Sequence, residues 1–202
     1  YEIPLCDWSS DVCSSDLGMA RRLALSKDAR QRRMETLREL ISISNLSGAM
    51  ATAERLLNLA KKDAEASAEE KNTAERLRLL AAYGIEDEKI PNNLRSEFRQ
   101  LEENQKRRNT RALRDGIDRI LTDTESLFRD VLSIQLATSA QLINTELQAE
   151  IYQRAQETLA EDSVAVLEAI ATSRHRLESN VRDLLVMEAL CTKLIVRSRV
   201  AV

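Results

Sequence analysis

The sequence predicts an all-α protein, a helical bundle from which a long antiparallel helical hairpin protrudes as an arm. Three observations carry this reading. Beyond residue 17 a single proline (Pro91) and four glycines (Gly18, Gly48, Gly84 and Gly116) interrupt the chain. Apolar residues return at intervals of three and four, the period of amphipathic helices, and no β-branched alternation competes with it. Aromatic residues make up only 3% of the chain, so the core must be built from Leu, Ile, Val and Ala.

A short helix is expected over Met19–Leu25. Ser26 then reads as the N-cap of a second helix running to about Leu40. Ser42-Ile43-Ser44-Asn45 is a connector, with Ser44 or Ser47 available as the next cap. Two long helices follow, over Ser47–Ala82 and Asn93–Thr138. Between them Gly84 and Pro91 supply stop and restart signals. A connection of this length favours antiparallel neighbours, and folding about its midpoint pairs residues whose numbers sum to about 175. That register sets Glu102–Arg111, which contains no apolar residue, opposite Ala64–Thr73. Lys106, Arg107, Arg108 and Arg111 should then meet Glu65, Glu69 and Glu70. Exposed pairs of this kind contribute ~0–1 kcal/mol each, so they set register more than stability. A nucleic-acid patch over Lys106–Arg114 is the alternative, and the acids across the hairpin weigh against it. The arm covers residues 60–115 and is expected to be the mobile part.

The apolar stripe resumes at Ile117, Ile120, Leu121, Leu127, Phe128, Val131 and Leu132, facing Leu46, Leu56 and Leu57. Gly116 lies inside the helix at a cost of ~1 kcal/mol relative to Ala, for which a close helix approach is the natural reason. Three shorter helices complete the bundle over Asn144–Gln156, Ser163–Leu177 and Asn180–Arg197, with Asn144 and Ser163 as candidate caps. The last is apolar around much of its circumference, as a helix is when buried centrally or packed against another subunit.

Residues 1–17 differ from everything after them. They hold two of the three cysteines, the only tryptophan and four acids (Glu2, Asp7, Asp11 and Asp16) with no base. The run CDWSSDVCSSDL resembles a translated sequencing adapter, so 1–17 is expected to be non-native or disordered. Subtracting its four acids from 33 leaves 29 against 30 bases. So balanced a charge argues against a dedicated nucleic-acid arm or polybasic membrane patch.

Catalytic and metal signatures are missing. There is no phosphate loop, dinucleotide fingerprint or nucleophile elbow. The single histidine, His175, excludes His-based triads and sits between two arginines as a surface residue would. Cys6 and Cys13 have no second Cys/His pair at a ligand spacing, and Cys191 falls in an apolar pattern as a buried small hydrophobe. Glu146 and Glu150 lack the His partner of a carboxylate metal site. No cofactor or metal is expected. No apolar run approaches the ~20 residues that cross a bilayer, and residues 1–17 lack the basic and apolar regions of a secretory signal, so a cytoplasmic location without membrane contact is expected. On residues alone the chain is a helical interaction module; a free-standing coiled-coil or helical-bundle interaction protein is one form of it.

Several strings in order resemble one family. Gly18-Met19-Ala20-Arg21-Arg22-Leu23-Ala24 looks like the turn and helix that close the lid of clamp-loader AAA+ modules. Leu127-Phe128-Arg129-Asp130-Val131-Leu132, followed by Gln135-Leu136 and Leu142-Ile143-Asn144, resembles a block of the delta-prime subunits of bacterial DNA polymerase III. Leu177-Glu178-Ser179-Asn180-Val181, Met187-Glu188-Ala189-Leu190 and the stretch Glu102–Arg114 are similar to further segments of that family.

The resemblance implies the end of an AAA+ lid domain over 18–45 and a helical collar domain over 46–202. In that family the collars of five subunits form a ring that holds the clamp loader together. The arginine finger and zinc module would lie upstream of Gly18, so no catalysis is implied here. The implied partners are the ATPase (gamma/tau) and delta subunits, with no DNA contact through this segment. Leu184, Leu185, Val186, Leu190 and Leu194 would divide between core and subunit packing. Arg129, Asp130, Asn180 and Glu188 would order helix junctions.

Overall fold

The computed structural model describes residues 21–195, apart from residues 22, 85–90 and 93 and the side chains of residues 67 and 70. All the described secondary structure is helical. In chain order it comprises α1 (Lys27–Ile41), α2 (Leu46–Ala82), α3 (Arg95–Gln135), a 3-10 turn (Thr145–Leu147), α4 (Gln148–Glu157), α5 (Ala160–Glu178) and α6 (Asp183–Lys193). Residue 21 and residues 23–25 are also helical, whereas the expectation for 1–17 lies outside the described residues.

Local chemistry explains the helix ends. Ser26 caps α1, its hydroxyl accepting from the Ala29 N–H at 3.2 Å. The next cap is Asn45, which accepts from the Gly48 N–H at 2.8 Å, and not Ser44 or Ser47. Asn and Ser are equivalent caps energetically, and the turn after Ile41 delivers Asn45. Gly84, at φ 62°, lies just past the end of α2 in the left-handed region that glycine adopts without penalty.

Two expected caps turn out to be interior hydrogen-bonding groups. The buried Ser163 donates to Gln135 Oε1 at 2.8 Å. Helix α5 starts earlier, where Asp162 accepts from the Leu159 N–H at 3.1 Å. The Asn144 side chain caps nothing and turns inward.

Helices α2 and α3 form the antiparallel hairpin close to the expected register. Ala60 meets Gly116, Gln105 donates to the Asn72 carbonyl at 3.1 Å, and Arg76 approaches Glu102 at 3.4 Å. The ion pairs differ from expectation. Arg108 pairs with Glu75 at 2.6 Å, and none among the described residues joins Lys106, Arg107 or Arg111 to Glu65 or Glu69, while the side chain of Glu70 lies outside the described residues. The facing pairs sit slightly further toward the tip than the midpoint register allowed, and long arginines reach along the helix as well as across it. The stem also has more core than its composition suggested, because Ala49, Ala53, Ala60, Ala64 and Ala68 form one buried ridge along α2. Small side chains let the two backbones approach, and a Cβ built on Gly116 would lie 3.4 Å from Ala60 Cβ.

The main core begins where the stripe on α3 predicted. Ile117, Leu121, Leu127 and Val131 are fully buried, packed with Leu56 and Leu57; Leu46 is exposed. Leu37, Leu40 and Ile41 of α1, Leu147 and Ile151 around α4, Val166 and Ile170 of α5, and Val186, Met187, Leu190, Cys191 and Leu194 at α6 belong to the same cluster. Burial pushes the Cys191 thiol up to about 12, which leaves it an inert hydrophobe.

Candidate functional site

Arg129 and Asp130 lie near the C-terminal end of α3, where the chain must reverse to reach α4. Asp130 has no solvent exposure. Its carboxylate accepts from the backbone N–H of Ile143 at 3.0 Å and of Asn144 at 2.8 Å, from Asn144 Nδ2 at 2.9 Å, and from Arg129 at 3.0 Å. Arg129 also donates to the Gln141 carbonyl at 3.1 Å. A carboxylate with this many donors is an acceptor hub for a connection that has no helix to satisfy its N–H groups.

The network extends to α1. Arg33 donates to Asn144 Oδ1 at 2.8 Å, to Ser126 at 3.0 Å and to Asp123 at 2.6 Å. Burial raises the Asp123 carboxyl above its ordinary range, and the Arg33 charge partly opposes that. α1, α3 and the 141–144 connection are therefore fastened by one polar set.

Asn180 serves a different junction. It closes α5 at φ 58°, a left-handed position that asparagine tolerates better than most residues. Around it the Val181 N–H bonds to the Arg176 carbonyl and the Asn180 N–H to the Leu177 carbonyl, a Schellman arrangement. The Asn180 side chain accepts from Arg114, tying this turn to α3. Glu188 is half-buried on α6 and makes no side-chain hydrogen bond or ion pair among the described residues.

The five apolar candidates separate. Val186, Leu190 and Leu194 are buried, Leu184 is half-buried against the core, and Leu185 is 52% exposed. His175 is exposed, 3.8 Å from Glu178. Among the described residues no group of three or more His, Cys, Asp or Glu side chains is arranged to hold a metal.

One buried charged residue escaped the sequence reading. Arg154 of α4 is 4% exposed and has no carboxylate partner among the described residues. It donates to the carbonyls of Ile41 and Leu194, at the C-terminal ends of α1 and α6, and its guanidinium lies 5.7 Å from the Phe128 ring centroid. Two negative helix ends and an aromatic face substitute for a counter-ion. The available signal was its spacing, three residues after Ile151 on the apolar side of the helix.

A cleft of about 710 Å³ lies between α1, α2 and α3. Its floor is Ala60, Ala64, Ala112 and Gly116, and its rim alternates Arg32, Arg33 and Arg119 with Asp63, Asp115 and Asp123. The rim therefore carries both signs of charge in equal number. No family model, curated protein or solved structure matches the chain. No described helix is long and apolar enough to cross a membrane.

Proposed function

We propose that this chain is an assembly module of the clamp-loader collar type, joining neighbouring subunits in the cytoplasm to support sliding-clamp loading, with no catalysis of its own. The observation that carries the reading is where the family-like strings fall. Asp130 with Asn144 and Asn180 with Arg114 are fastenings between helices, and Met187 and Leu190 are core. Residues used in this way build a scaffold. The α2–α3 hairpin is the arm of that scaffold, residues 18–45 are the end of a lid domain, and the exposed Leu185 of α6 lies on the subunit-packing face.

The expected partners are the clamp loader's ATPase (gamma/tau) and delta subunits. Mixing this chain with those subunits and following co-elution tests the proposal. Association is expected, with Leu185→Asp weakening it by about tenfold or more while helix content is unchanged. A chain that is helical and monomeric but never co-elutes would overturn it. A stable complex with itself alone would favour the free-standing bundle.

A further inference from the structure

The outward face of α3 carries a predominantly basic stripe, of which only Arg114 also enters a helix junction. At 100° per residue, Arg99, Arg107, Arg111 and Arg114 fall on the side opposite the buried Phe98 and the half-buried Gln105, Asn109 and Ala112, with Arg95 and Lys106 flanking that side. All six are exposed, with Glu103 inside the stripe and Glu102 and Asp115 at its edges among the described residues. Among the described residues the hairpin bases that pair with acids across it are Arg76 and Arg108, neither of which is one of the six, and the side chain of the expected acid Glu70 lies outside the described residues. Charge is also divided along the chain. Residues 71–114 hold 11 bases and 7 acids, a net +4, within a chain of net −3, so the remainder is −7.

We propose that this face is an interaction surface for the phosphate backbone of duplex DNA, held without reading its sequence. Chemistry selects the occupant. Five of the six bases are arginines, whose planar forks suit phosphate oxygens. From Arg95 to Arg114 the helix rises about 28 Å, roughly four-fifths of a duplex turn. The stripe carries no aromatic side chain on which unpaired bases could stack, as single-strand binders use. It also has no apolar residue to enter a bilayer, as surface-bound helices do. The proposal does not depend on the collar reading.

The test is fluorescence anisotropy of the full chain with a labelled 20-base-pair duplex, from 50 to 200 mM salt. Binding should weaken with salt, with a log–log slope of roughly −3 to −5 for four to six phosphates. Arg107→Glu with Arg111→Glu should weaken binding by at least about tenfold and flatten that slope by about 2. The pair is exposed, and circular dichroism should show unchanged helix content. Lys27→Glu with Lys193→Glu, which alters the same number of charges elsewhere, should leave binding within about twofold. No binding at 50 mM salt would overturn the proposal. So would equal losses in both variants, or binding to single strands or anionic vesicles without binding to the duplex.

Discussion

Asp130, with no solvent exposure, accepts the backbone N–H of Asn144 at 2.8 Å, and this contact fixes the path of the chain as it leaves α3. The residue replaces solvent for a connection whose own backbone has few internal partners. Asp130→Ala would strand the N–H groups of Ile143 and Asn144, and a loss of about 3 kcal/mol is expected. Asp130→Asn keeps the shape but turns an amide toward donors, so its loss should be nearly as large. Urea unfolding of the full chain measures both; a change below about 0.5 kcal/mol for the alanine variant would contradict the account.

Arg154 makes a related prediction of a different kind. Arg154→Ala removes a buried stem and strands the Ile41 and Leu194 carbonyls, at a cost of about 3 kcal/mol. Arg154→Met retains packing against Phe128 and should recover part of that. Hydrogen exchange should quicken first at the end of α6, where the guanidinium holds the Leu194 carbonyl.

Gly116 can be improved in one direction only. An alanine Cβ there would sit 3.4 Å from Ala60 Cβ, an ordinary contact. Gly116→Ala should therefore raise stability by up to about 1 kcal/mol through helix propensity. Gly116→Leu has no such room and should lower it by about 1–3 kcal/mol, by forcing α2 from α3. A thermal melt of each variant decides the sign.

The Glu75 carboxyl is held below its ordinary range, first by its hydrogen bond from Arg108. A depressed folded-state pKa contributes stability that is present above the unfolded value of 4.5 and lost as pH falls through the folded value. NMR titration should place the Glu75 carboxyl below other exposed glutamates, and Arg108→Gln should return it upward. An unmoved carboxyl in that variant would show that the ion pair exists only transiently in solution.

Much of the fold was legible because helices are specified locally. Periodicity gave the long hairpin and the stripe from Ile117 to Val131, and Ser26 and Gly84 announced their helix ends through chemistry that acts over three or four residues. The errors share a cause. Asn144 and Ser163 have cap chemistry, but each was claimed by a partner distant in sequence, Asp130 and Gln135 respectively. Arg108 meets Glu75 and not Glu65 or Glu69, because a small shift in register decides which side chains meet across a hairpin.

The sequence by itself determined an all-helical chain with an aliphatic core and a charged hairpin, since helix period and composition need no knowledge of neighbours. Only the tertiary structure decided which polar residues became fastenings and which bases stayed outside. Arg154 and Arg107 are the same residue type on amphipathic helices. One is buried against two helix ends and Phe128, the other faces water, and the difference lies wholly in what packs beside each helix.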